Sequence, residues 1–267
     1  MCRDTGGVEL NLKTISEALD QYVRPQTFPV AIGLIDSAGG IPGRARMPKR
    51  DLGFPIALCQ GVALARRYGW LVALSNEDML CPLGALALGF VPAKEKFLDG
   101  SFGVPFWVKD QSVRAKMAQA LPRLETGKYS HILAAPINRA DFEPQVIVIY
   151  GNPAQIARLI QAAIYASGEP VASSSYGGFA CAEEITRPIM TQQCRFIVTG
   201  GGDRAIAQAH DDEMSFAMPM SRAKEMVDGL EATHKAGMRY PTPSFLTFKA
   251  DFPVVFDQLT KYLRQDN

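Results

Sequence analysis

Cysteine is the residue type in this chain most able to do chemistry, and it occurs at positions 2, 59, 81, 181 and 194. Cys59 falls on a predicted helix that follows a basic loop, and Cys81 and Cys181 fall at predicted helix starts. A helix N-terminus presents unpaired N–H groups and the positive end of aligned peptide dipoles, both of which favour a thiolate. Thiolates are the ligands of iron–sulfur clusters and of zinc. Three thiolates brought together would hold a cluster with one iron left open, or a metal ion with an exogenous ligand. The spacing of Cys59, Cys81 and Cys181 matches neither a ferredoxin run nor a zinc ribbon. The competing account makes them small buried hydrophobes, a common fate of free cysteine. A third account makes Cys81 or Cys181 a catalytic thiolate, although no histidine partner lies nearby in sequence. Cys194 borders an apolar strand and reads as packed, and Cys2 reads as idle.

Candidate ligand-binding residues come from three further places. At Tyr150-Gly151-Asn152-Pro153 an apolar strand ends in glycine and opens a helix at proline. First-turn N–H groups there would hold a phosphate or carboxylate. Asn152 serves equally as a plain N-cap needing no ligand. Thr199-Gly-Gly-Gly-Asp203-Arg204 offers a glycine turn followed by a guanidinium suited to carboxylate or phosphate, or else a surface Asp203–Arg204 pair. In His210-Asp211-Asp212-Glu213, acids precede an apolar strand, and Asp212 and Glu213 are the candidates. Extended alternation places neighbouring acids on opposite faces, so all of them converge only through a turn. His131 and His234 read as structural. The basic loop with Arg44, Arg46, Lys49 and Arg50 lacks interleaved aromatics.

The elements that must position these residues alternate along the chain. Strands are predicted at 29–35, 70–74, 105–108, 130–135, 145–150, 170–174, 195–199 and 214–218. Helices are predicted at 11–23, 56–68 with Gly69 as its stop, from Pro82, at 112–124, 154–166, from Ala180, at 221–235 and at 252–263. The halves look alike. Each runs strand, helix ending in glycine, strand, then a cysteine-led helix, and Arg-Ala-Lys recurs at 114–116 and 222–224. The expected fold is therefore α/β or α+β, with two βαβ-containing halves from an internal duplication packed as one body. The expected divisions are residues 10–140, 141–250 and a C-terminal helix at 251–267.

Composition bounds the class. The chain has 267 residues, 47% of them hydrophobic and 21% charged, enough to bury a sizeable core. Lys plus Arg (28) nearly balances Asp plus Glu (27), for a net charge of +1, which argues against a nucleic-acid or membrane-surface partner. No apolar run reaches a membrane span, the start is polar without an apolar signal core, and cysteines are few and odd in number. A cytoplasmic location is expected on these grounds.

Several segments resemble the family catalogued as domain of unknown function 169. They are Pro55-Ile-Ala-Leu-Cys59-Gln60, Ala65-Arg66-Arg67-Tyr68-Gly69, Glu77-Asp78-Met79-Leu80-Cys81-Pro82, Asp141-Phe-Glu-Pro144, Tyr150-Gly151-Asn152-Pro153, Gly202-Asp203-Arg204, Asp211-Asp212-Glu213-Met214 and Gly229-Leu-Glu-Ala-Thr-His234. The resemblance spans about residues 10–250 and implies an intracellular bacterial or archaeal protein. It implies no activity. The residues themselves lead to the expectation of a cysteine-ligated metal centre at Cys59, Cys81 and Cys181, most plausibly an iron–sulfur cluster. It would bind or transform a small anionic molecule met by Gly151, Asn152 and Arg204. The alternative is a metal-free module that binds a small metabolite through glycine turns.

Overall fold

The computed structural model describes residues 11–102, 108–242 and 253–264. Six strands form one sheet: β1 (Val30–Ile35), β2 (Val72–Ser75), β3 (His131–Pro136), β4 (Val146–Gly151), β5 (Arg195–Val198) and β6 (Met214–Pro219). The helices of the first half are α1 (Leu12–Tyr22), α2 (Pro48–Asp51), α3 (Leu58–Tyr68), α4 (Pro82–Ala87), α5 (Glu95–Leu98) and α6 (Gln111–Ala120). Those of the second are α7 (Pro153–Ala163), α8 (Arg187–Thr191), α9 (Gly201–Ile206), α10 (Ala223–Lys235) and α11 (Val254–Leu263). Among the described residues no helix is long and apolar enough to cross a membrane.

The strand order is β2-β3-β1-β4-β6-β5, and every neighbouring pair is antiparallel. β1 and β2 both oppose β3, so they run parallel with β3 between them. β4 and β5 stand in the same relation to β6. In each triplet the two parallel strands are separated by a third that is antiparallel to both, so no adjacent parallel βαβ pair occurs among the described residues.

Strand alternation divides the core into layers. Val30, Ile32, Leu34, Val146, Val148 and Tyr150 face α3, α4 and the segment around Ile185. On the opposite face Ile147, Ile149, Phe216 and Met218 pack under α1, α7 and α10. Gly229 lets α10 lie directly on α7, since a Cβ there would come within 2.2 Å of the Ala162 carbonyl oxygen. Gly69 ends α3 in the left-handed region at φ 72°, as its sequence position predicts.

Two expectations are corrected, and a further one lies mostly outside the described residues. Residues 170–174 form no strand; the chain there runs irregularly, with Ser173 and Ser175 exposed, and 195–198 supplies the strand instead. The predicted strand at 105–108 lies mostly outside the described residues. Cys81 and Cys181 do not occupy matching elements: Cys81 caps α4 after β2, whereas Cys181 precedes β5. Likewise α6 lies between β2 and β3, while its supposed counterpart α10 follows β6. Amphipathic helices of similar composition pair readily by eye, whereas strand hydrogen bonding sets the actual equivalence.

Candidate functional site

The first turn of α3 and the start of α4 pack closely. A Cβ on Gly84 would stand 3.2 Å from the Cβ of Leu58. This brings Cys59, on α3, toward Cys81, the N-cap of α4. Pro82 at the first helical position fixes where α4 begins. From the second half comes Cys181, just before a π-helical stretch, Ala182–Thr186, that carries Glu184. Such stretches often occur at functional sites. α9 adds Asp203, and β4 and β6 add Tyr150 and Ser215 from the sheet.

Mutual influence shows that these groups share one centre. Burial pushes the Cys59 thiol up to about 12, and the charges of Asp203, Glu184 and Cys81 push the same way. The Cys181 thiol is raised well above its ordinary value by burial, then by Cys59, Asp203, Cys81 and Glu184. Glu184 is raised to about 8 by burial and by Asp203, against hydrogen bonds from Ser215 and Tyr150 and the charge of Arg66. Asp203 is raised by burial, opposed by its hydrogen bond from the Gly200 N–H at 2.8 Å.

Glu184 sits 1% exposed with hydroxyl partners. Ser215 Oγ donates to Oε1 at 2.6 Å, and the Tyr150 hydroxyl lies 3.2 Å from both carboxylate oxygens. The guanidinium of Arg66 lies 4.0 Å over the Tyr150 ring. Burial thus favours the neutral forms of Cys59, Cys181 and Glu184. Among the described residues no group of three or more His, Cys, Asp and Glu stands ready to hold a metal ion.

The other sequence candidates do not join this centre. Asn152 caps α7, its Oδ1 accepting from the Gln155 N–H at 3.0 Å and its Nδ2 donating to the Tyr240 hydroxyl at 3.0 Å. The Asn152 N–H donates to Gln155 Oε1, and Gly151 is the buried end of β4. The cap thus occupies the turn that an anion would use. Arg204 donates to the His210 carbonyl and to Asp211, not to a partner at Asp203. Asp212 is exposed.

Glu213 is buried and fully paired, accepting from Arg66 at 2.9 and 3.0 Å, from Arg67 at 3.2 Å and from the His210 N–H. Burial would raise its pKa, but the hydrogen bonds and charges of these partners hold it below the usual carboxylate range. Cys194 is packed on the opposite face, its thiol raised to about 12 by burial.

Sequence reasoning missed Glu184, Tyr150, Ser215, Arg66 and the inward role of Asp203. The available signal was an acid pair, Glu183-Glu184, on an otherwise apolar turn. Tyr150, Arg66 and Asp203 also lie inside the segments that carry the family resemblance. A family model described as "Uncharacterised ArCR, COG2043", DUF169, matches residues 18–229. The chain belongs to the DUF169 family. All six strands, and every residue of the cysteine centre, fall inside the matched region. A relative in Methanocaldococcus jannaschii, "Uncharacterized protein MJ0308", is 27% identical over 176 residues, 65% of this chain and 75% of its own. No solved structure matches.

Proposed function

We propose that this DUF169 protein carries an iron–sulfur cluster on Cys59, Cys81 and Cys181, with one iron left open to a small anionic molecule. One observation carries the reading: thiols from three separate elements influence one another across a buried centre that also holds Glu184 and Asp203. In anionic form these groups repel one another and have lost their water, which is what raises them. A cationic cluster or metal relieves both penalties at once and releases the thiol protons. Thiolates on a shared cluster stand about 6–7 Å apart, whereas ligands of one ion all lie about 2.3 Å from a single point. Three thiols drawn from separate elements fit the wider span of a cluster.

The raised thiol at Cys181 weighs against that residue as a metal-free catalytic thiolate, because little nucleophile exists there near neutrality. The caps at Asn152 and Gly200 weigh against a metal-free anion module built on the same turns. We further read the two halves as an ancient duplication, supported by their identical strand order. The free thiols support a reducing, cytoplasmic setting.

The test is anaerobic purification followed by reconstitution with ferrous iron and sulfide. Visible charge-transfer absorption, with iron and sulfide bound in comparable amounts, is expected. It should be lost in Cys81→Ser and Cys181→Ser proteins that remain folded by circular dichroism. A folded wild-type chain that stays colourless and iron-free after reconstitution defeats the proposal.

A further inference from the structure

The helix α11 differs from the other long amphipathic helices of the fold. α1, α3, α7 and α10 each bury one face, whereas α11 buries none of its ten residues. Val255 is 62% exposed, Leu259 49%, Tyr262 72% and Leu263 67%. A helix this short is marginal in water without a packed face. A contiguous apolar surface of this kind marks a contact site.

The pattern of the stripe points to what covers it. At about 100° per residue, Leu259 sits at its centre. Val255 and Leu263 fall about 40° to either side of it, and Phe256 and Tyr262 about 60°. Only Val254, in the first turn, stands off the stripe. The apolar positions therefore read the same in both directions from Leu259, so an antiparallel copy overlaps them along their full length. A contact across a two-fold axis requires a patch that is complementary to itself in this way.

The charges agree. In an antiparallel pair the flanking residues nearest the axis, Gln258 and Thr260, each meet their own copy, where any charge would repel itself. Both are uncharged. Asp257, Lys261 and Arg264 lie about 140–160° from Leu259, on the far side. A lipid surface selects the opposite arrangement, a polar face rich in Lys and Arg.

We propose that α11 pairs antiparallel with α11 of a second copy of this chain, with Leu259 on the two-fold axis. Leu259 then packs on Leu259, and Val255 and Phe256 pack on Tyr262 and Leu263. Five side chains make a small contact beside the roughly 800 Å² per partner of a standard interface, so dissociation constants on the order of 10–100 µM are expected. The contact is separate from the cysteine centre and stands whether or not that centre holds a cluster.

The experiment is sedimentation velocity of the full chain from about 1 to about 300 µM, a range that brackets the expected constant. The mass should rise from monomer toward dimer across it. Leu259→Glu, at an exposed position and checked for folding by circular dichroism, should weaken association by about tenfold or more, because like charges meet on the axis. Leu259→Lys should do the same, and an equimolar mixture of the two variants should regain the dimer. Packing of α11 on its own body gives no such rescue. A wild-type chain that stays monomeric throughout, a dimer indifferent to Leu259→Glu, or a mixture that stays monomeric each overturns the proposal. So does a monomeric chain that binds phosphatidylcholine vesicles and loses that binding in Leu259→Glu, which assigns the stripe to lipid.

Discussion

Glu213 and Glu184 are both buried, and both lie within reach of the same arginine, yet their surroundings treat them in opposite ways. Glu213 occupies an arginine pocket, where Arg66 and Arg67 supply three N–H contacts between 2.9 and 3.2 Å. Glu184 occupies the cysteine centre, where Ser215 and Tyr150 supply hydroxyls and the nearest titratable groups are acids and thiols. Its sequence neighbour Glu183 repeats the first pattern, bound by Arg187 at 2.7 and 2.8 Å and by Ser174. Burial is thus not what separates these acids. A guanidinium completes the charge of Glu213 and Glu183, while the charge of Glu184 is left to be completed by a proton or by an arriving cation. A region whose anions are already neutralised by its own side chains is structural. Where no guanidinium pairs directly with the acid, burial and a neighbouring acid raise it toward its neutral form, as at Glu184.

The largest expected effect breaks the paired side. Arg66→Met removes two of the contacts to Glu213 and the cation over Tyr150. Because Arg67 remains, the loss in urea-monitored stability should be about 3 kcal/mol, the low end for a broken buried pair. A change within error would mean that the pair does not hold the two layers together.

Next comes the pH dependence of the unpaired side. The folded chain keeps a proton on Glu184 up to about 8, while the unfolded chain releases it near the ordinary 4.5. Stability is therefore fully present below the lower value, falls as pH rises between the two, and levels off above the higher. Each unit of displacement is worth about 1.4 kcal/mol. Glu184→Gln should flatten that slope in urea melts between pH 5 and 8, windows set by those two values. Glu213 acts with the opposite sign: its lowered pKa adds stability above the ordinary value, lost as pH falls through the folded one. An unchanged slope in Glu184→Gln would show that the acid is ionised in the fold.

Thiol reactivity sharpens the same contrast kinetically. With Cys59 raised to about 12 and Cys181 raised well above 9, both should react with iodoacetamide far more slowly at neutral pH than a cysteine in a short peptide. Mass spectrometry of partially alkylated protein reads this residue by residue. Fast labelling of either would remove the raised-thiol picture.

The smallest effects belong to the candidates outside both regions. Asn152→Ala should cost about 1 kcal/mol as a lost cap. Arg204→Gln should cost less than about 1 kcal/mol as a lost exposed pair. Neither should alter cluster loading, and a colour change in either would return Asn152 or Arg204 to the centre.

Much of this was legible from local pattern. The apolar run at 145–150 and the steps at Leu12, Ile15 and Leu19 predict β4 and α1 closely, because burial on one face imposes the periodicity directly on the residues. Pro82, Gly69 and Asn152-Pro153 mark helix ends where they occur, since backbone geometry there depends on the residue itself. The same local rules predicted a strand at 170–174 that does not form, because a local apolar pattern does not specify the strand it would pair with.

The site divides along the same line. Sequence alone picked out Cys59, Cys81 and Cys181 by chemical type and Glu213 by its place before a strand. Only tertiary structure decided that Glu213 is neutralised by Arg66, 147 positions away, while Glu184 meets no guanidinium of its own. A side chain's chemistry is written in its identity, but its pKa and role depend on which charges the fold brings within a few ångströms, and those come from residues far away along the chain.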